Sequence, residues 1–121
     1  MNHPELDMDA VVRRLHALRA ELLEQSDASR ESRDTVMLDQ TSVGRLSRMD
    51  ALQGQAMAKA EEQRRQLALR RITGALSRIE KGEFGECIEC GEWIGARRLE
   101  GDPLVLKCID CAERRARVTR R

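Results

Sequence analysis

Aromatic residues are nearly missing: 121 residues include one Trp, one Phe and no Tyr. A chain so short of large rings has little with which to fill a broad globular core. No apolar run approaches the roughly 18 residues of a membrane span, so none is expected. Neither charge dominates. The chain has 22 Lys and Arg against 21 Asp and Glu, a formal net charge of +1, so bulk electrostatics do not announce a nucleic-acid partner. There is no signal-peptide pattern, and reduced cysteines in an unsignalled chain point to the cytoplasm. No His, acid and nucleophile converge as a catalytic set, and an enzyme is not expected. What is abundant is charge, at 36%, together with Ala, Leu, Arg, Glu and Gln. That is the composition of long exposed helices.

All four cysteines fall in two Cys-x-x-Cys pairs, Cys87 with Cys90 and Cys108 with Cys111, separated by seventeen residues. Each such turn places two sulfurs on one side of an ion, and two turns close a tetrahedral shell. The gap lies within the range for a zinc site. Four thiolates make a closed, redox-silent site, so one structural zinc is expected and no metal-bound water is left to activate. Disulfides would require an oxidising compartment, and a redox pair normally occurs singly beside a βαβ pattern. Iron–sulfur spacings differ. His3 and His16 lie far from these pairs in sequence and read as surface or packing residues.

Helical periodicity fills the first two-thirds of the chain. Residues 1–6 look like a short, loose start, after which Asp7 or Asp9 can cap a helix. Val11, Leu15, Leu18 and Leu22 recur on one face, widened by Val12 and Leu23. From Glu24 to Thr35 the apolar signal stops. Ser26, Asp27, Ser29, Ser32 and Asp34 compete there for backbone hydrogen bonds, so the helix either continues as a solvated arm or frays. Asp39 to Gly44 reads as a turn, with Thr41 or Ser42 capping the next helix.

From Arg45 to Lys81 no proline occurs and good helix formers dominate, enough for a helix on the order of 50 Å. Leu46, Met49, Ala56 and Ala60 mark its first half, and Leu69, Ile72, Leu76 and Ile79 its second. Gly74 lies inside the pattern, either permitting close helix approach or simply tolerated. Lys81-Gly82 supplies a C-terminal stop. In an antiparallel pair, facing residues have position numbers with a constant sum. Val11 with Ile79, Leu15 with Leu76, Leu18 with Ile72 and Leu22 with Leu69 all add to 90 or 91. The expected fold is therefore mainly α: an antiparallel coiled-coil hairpin over 1–82, its tip within 36–50, then a four-cysteine zinc-ribbon-like finger and a short basic C-terminal helix over 83–121. Trp93-Ile94 and Leu104-Val105-Leu106 are the expected short strands and core of the finger. The closing helix should run from Asp110 to Val118.

The stretch Gly82-Glu83-Phe84-Gly85-Glu86-Cys87-Ile88-Glu89-Cys90-Gly91 resembles the entry to the DksA/TraR zinc finger. Ile94, Arg97-Arg98-Leu99, Asp102-Pro103 and Cys108-Ile109-Asp110-Cys111 look like the same family. The upstream Ala75 to Gly82 is similar to its helix end. The close match covers about residues 69–112. The resemblance implies a transcription regulator that binds RNA polymerase rather than DNA, its hairpin entering the secondary channel, in some members together with ppGpp. Acidic residues at the tip, in an Asp-x-x-Asp-x-Ala pattern, are thought central in the family. Counting back without gaps puts Gly44, Ser47 and Met49 at those positions, so the usual regulatory effect and any alarmone dependence are put in doubt. Asp39 and the Asp50-Ala51 pair lie nearby and, with Arg97 and Arg98, are the candidate partner-binding residues. A monomer is expected. The alternative is a zinc-finger adaptor that binds another protein or nucleic acid through its basic C-terminal end, where Arg114, Arg115, Arg117, Arg120 and Arg121 cluster.

Overall fold

The structure, a computed structural model, describes residues 1–39 and 45–119, with the side chains of 32–47 and 115–119 left aside. Four helices occur among the described residues: α1 (Met8–Asp39), α2 (Arg45–Glu80), α3 (Ala96–Gly101) and α4 (Ile109–Thr119). The proposed turn and caps at 40–44 lie outside the described residues. No helix is long and apolar enough to cross a membrane, among the residues described.

Asp7 starts α1. Its Oδ1 accepts from the backbone N–H of Asp9 at 3.1 Å and of Ala10 at 3.4 Å, which satisfies two otherwise orphaned donors. The helix then runs unbroken through Glu24–Thr35, so fraying is overturned. Ser26 explains part of this. It is 8% exposed, and its hydroxyl donates to Glu62 Oε1 at 2.9 Å on α2 rather than competing for its own backbone. The predicted α1 stripe is inward: Leu15 is fully buried, and Val11, Leu18 and Leu22 are half-buried. Leu23, at 47% exposure, does not widen it.

The first half of α2 corrects the sequence reading. Its inward positions are Ala51, Gln55, Ala58, Glu62, Arg65 and Leu69, which continue toward Ile72 and Leu76 in steps of four and three. The expected markers Met49 and Ala56 are exposed, Ala60 is half-buried, and the Leu46 side chain lies outside the described set. The heptad phase fixed by Ile72 and Leu76 carries back onto small and polar residues. The large apolar ones therefore fall on the opposite side. At the other end, α2 closes in a Schellman motif. Glu83 N–H donates to Arg78 O at 2.8 Å and Gly82 N–H to Ile79 O at 3.1 Å, with Gly82 at φ +71°.

The chain divides into two compact units, Met1–His16 with Arg71–Arg121, and Ala17–Arg70. The first holds the apolar core: Leu15, Ile72, Ala75, Phe84, Ile94, Leu99 and the cysteines Cys87 and Cys111. The second is a length of helix pair whose seam passes from Leu18, Leu22 and Leu69 to the small and polar residues Ser26, Glu62, Ala58, Gln55 and Ala51.

Candidate metal centre

Two chain reversals bring the cysteines together. In the first, Cys87 N–H donates to Glu92 O at 2.8 Å and Gly91 N–H to Cys87 O at 3.0 Å, while Glu86 and Trp93 form a lone antiparallel bridge. In the second, Ala112 N–H donates to Cys108 O at 3.0 Å, so Cys108 opens the first turn of α4 and Cys111 lies one turn on. Ile88 N–H to Leu106 O, at 3.0 Å, joins the two reversals backbone to backbone. Lys107 Nζ donates to Glu89 Oε1 at 2.6 Å across the same gap. The Glu89 side chain is 46% exposed, so that pair adds little stability.

The four Sγ atoms of Cys87, Cys90, Cys108 and Cys111 all lie within 4.8 Å of one another. Cys90 and Cys108 are 3.8 Å apart, sulfur to sulfur. A tetrahedron with metal–sulfur bonds of about 2.3 Å has edges of about 3.8 Å. The donor set therefore fits a thiophilic ion closed on four sides, and the cluster can hold a metal. Cys87 and Cys111 are buried, Cys108 is half-buried and Cys90 is exposed.

Electrostatics agree with that geometry. Burial pushes the Cys87 thiol up, but backbone N–H groups of Cys90, Cys108 and Glu89 outweigh it and bring its pKa down to about 6. Cys111 is pushed up to about 12, first by its hydrogen bond with Cys108 and then by burial. Cys90 is raised as well. One thiolate, that of Cys87, is favoured, and Cys90 and Cys111 resist ionisation beside it. A divalent cation at the centre reverses that balance for all of them.

An arm that the sequence reading took for a loose start supports this unit. Asn2 and His3 clamp Phe84 from both sides of its peptide: Phe84 N–H donates to Asn2 Oδ1 at 3.0 Å, and His3 N–H donates to Phe84 O at 2.9 Å. Asn2 Nδ2 also donates to Ile79 O at 3.1 Å. His3 is 4% exposed. Its Nδ1 accepts from Glu5 N–H at 3.2 Å, so Nε2 carries the proton and donates to Ile94 O at 2.7 Å. Gly85, at φ +101°, permits this, because a Cβ there would stand 2.6 Å from His3 Cβ. His3 is thus a packing residue and His16 an exposed one, and neither belongs to the sulfur cluster. No periodicity marks Asn2 and His3, because two residues ahead of a helix cap carry no repeat.

The finger departs from expectation in three further places. No strands form at 93–94 or 104–106, only the single Glu86–Trp93 bridge. Each segment meets one backbone partner before a cysteine turn redirects it, too short for a ladder. Trp93 is 38% exposed, its ring tilted at 57° to that of His3 with centroids 5.2 Å apart, whereas Ile94 is buried as predicted. The unpredicted α3 carries Leu99 inward, and the Arg14 guanidinium on α1 donates to its last carbonyls, Glu100 O and Gly101 O.

Among the partner-binding candidates, Asp39 ends α1 and its side chain lies outside the described set. Asp50 is exposed and Ala51 is half-buried on the α2 seam. Arg97 is exposed, while half-buried Arg98 donates from Nε to Lys107 O at 3.0 Å. Asp39, Asp50 and Ala51 belong to the second unit, and Arg97 and Arg98 to the first.

Two long helices in contact, followed by a four-cysteine site and short helices, define a helical-hairpin protein with a zinc-finger-like module. No family model matches the chain. Curated relatives do. The protein of Caulobacter vibrioides named RNA polymerase-binding transcription factor DksA is 33% identical over 92 residues, covering 73% of this chain and 65% of that one. Proteins of the same name from Haemophilus influenzae and Escherichia coli K12 are 44% identical over 43 residues, 36% of this chain. The chain spans 30% and 28% of the length of those two, less than a third. Among solved structures, transcription factor DksA2 from Pseudomonas aeruginosa matches with a TM-score of 0.84 at 24% identity, covering 98% of this chain and 89% of that one, which shows the same fold. The chain belongs to the DksA family.

Proposed function

We propose that this protein is a non-enzymatic transcription regulator that binds RNA polymerase, its helical hairpin entering the secondary channel and its finger holding one structural zinc. The observation that carries this is the relation to the Caulobacter protein, whose name specifies RNA polymerase binding and whose match extends over 92 residues. The fold shared with DksA2, a transcription factor by name, over 98% of the chain supports it. On this reading residues 1–82 act as the hairpin and 83–121 as the finger module. Asp39, Asp50 and Ala51 lie toward the tip, and Arg97 and Arg98 lie on the finger side.

Zinc is the ion of choice for the cluster because four thiolates favour a d¹⁰ cation with no geometric demand of its own. Bound there, it would be held by Cys87, Cys90, Cys108 and Cys111 and would serve structure alone.

The test is retention on immobilised core RNA polymerase, then competition with another secondary-channel factor. Specific retention that the competitor removes is expected. No retention at micromolar protein ends the reading. Elemental analysis should find one zinc per chain.

A further inference from the structure

One face of the chain is explained by none of the packing above. In the second unit, tipward of Leu69, the seam of α2 consists of Ala51, Gln55, Ala58, Glu62 and Arg65. The large apolar side chains point elsewhere: Met49 is 55% exposed, Leu52 58% and Leu67 41%, with exposed Ala56 between them. At about 100° per residue these four lie within about 60° of one another, on the side of α2 opposite the seam, while Met57, 67% exposed, lies about 100° further round. Exposed methionine and leucine aligned on a charged chain mark a surface made to be covered.

What covers it is indicated by charge. Beside the apolar stripe runs a row of exposed cations, Arg48, Lys59 and Arg70, repeating every eleven residues. That repeat returns to the same side of a helix and sets the cations about 16 Å apart. None of the three forms an ion pair among the described residues. Gln63 and Gln66 are the exposed neutral residues along this row, and the exposed acids Asp50 and Glu61 lie more than about 90° round the helix from the stripe. The exposed charged residues of α1 in the same unit lean the other way: Glu21, Glu24, Asp27 and Glu31 form an acidic face, with Arg19 and Arg30 on its flank.

We propose that this face of α2 docks on an acidic protein surface, with carboxylates about 16 Å apart beside a shallow apolar ridge. It rests on the polymerase reading and adds which side of the hairpin the polymerase touches and by what chemistry. The α1 face is repelled by such a surface and stays in solvent. An anionic lipid surface offers the same charge but fits less well. Gln53 and Gln63 interrupt the stripe, and the seam side of α2 cannot sink into an apolar boundary.

The experiment measures binding of the full-length zinc-loaded protein to core RNA polymerase at two salt concentrations. Two α2 variants are compared, Arg48→Glu/Lys59→Glu/Arg70→Glu and Leu52→Asp, with Glu24→Lys/Asp27→Lys on α1 as control. All positions are exposed, and circular dichroism with zinc analysis checks that the fold is kept. Each α2 variant should bind about tenfold or more weakly, the charge variant should lose most of its salt sensitivity, and the control should stay within about twofold. If the wild type binds and both α2 variants bind equally well, this inference fails while the polymerase reading stands. If the wild type does not bind, both fail. Vesicles of phosphatidylglycerol and phosphatidylcholine form the last arm. Vesicle binding lost in the charge variant, with polymerase binding unchanged, assigns the face to lipid and overturns the proposal.

Discussion

Glu62 offers a test of the helix pair that is independent of any partner. Its carboxylate takes four donors. Oε1 accepts from Gln66 Nε2 at 2.8 Å and Ser26 Oγ at 2.9 Å, and Oε2 accepts from Arg65 Nε at 3.1 Å and Nη2 at 2.9 Å. The Gln66 hydrogen bond, then those of Ser26 and Arg65, outweigh burial and bring its pKa from 4.5 to about 2. The folded value lies below the unfolded one, so on acidification the unfolded chain takes up the proton first. The contribution to stability is whole above about pH 4.5 and is lost as pH falls toward about 2. Taken at face value the displacement is worth about 3 kcal/mol. Gln66 and Arg65 lie within about one turn of Glu62 on the same helix and can reach it without α1, and the side chain keeps 17% exposure, so about 1–2 kcal/mol is expected. Urea unfolding of wild type and Glu62→Gln, followed by circular dichroism at about pH 6 and about pH 3, isolates this group. The acid lability of the thiolate site is common to both proteins and cancels. The wild type should lose about 1 kcal/mol more than the variant between the two pH values. Parallel losses would show that Glu62 is not held in this network, and the helix register that joins it to Ser26 would be wrong.

Gly85→Ala should destabilise the first unit by about 2–3 kcal/mol, since the new methyl meets His3 and the backbone sits at φ +101°. The single Trp, Trp93, lies against His3 and reports the displaced arm as a change in fluorescence. Gly74→Ala should instead stabilise by about 0.5–1 kcal/mol, because the added Cβ meets only Arg78 Nη1, at an ordinary 3.5 Å; a rise in Tm checks it. Cys87→Ser should abolish stoichiometric zinc and unfold 83–112 while much of the hairpin stays helical. A dispersed NMR spectrum for the finger in that variant would contradict it.

The sequence displayed those parts of the fold that repeat. The α1 stripe through Leu15, the Asp7 cap, the Gly82 stop and the sulfur spacing each follow a rule acting within a few residues. At Gly74 the sequence left close approach and simple tolerance both open, and the surroundings favour tolerance, since a Cβ there would meet only Arg78 Nη1. What was hidden depends on residues far apart in the chain. The Asn2–Phe84 and His3–Ile94 bonds span 82 and 91 positions and involve backbone groups, which have no side-chain signature. The strands expected at 93–94 and 104–106 did not form because apolar character there reflects packing around two cysteine turns rather than pairing in a sheet. In the first half of α2, periodicity alone could not say which of two faces turned inward. Apolar content points to Met49 and Ala56 as the inner face, and the phase carried from Ile72 turns them outward.

That inversion carries a physical consequence. A helix pair meant only to be stable would turn Met49, Leu52 and Leu67 onto its seam and leave Ala51, Gln55 and Ala58 to solvent, since buried apolar area is the main favourable term. This one does the reverse. Its seam carries small and polar side chains and is keyed by the Ser26–Glu62 bond, a polar contact that specifies register more than it stabilises. The apolar area kept on the outside is stabilising only once another surface covers it. A stretch of α2 arranged in this way is better suited to being bound than to standing alone.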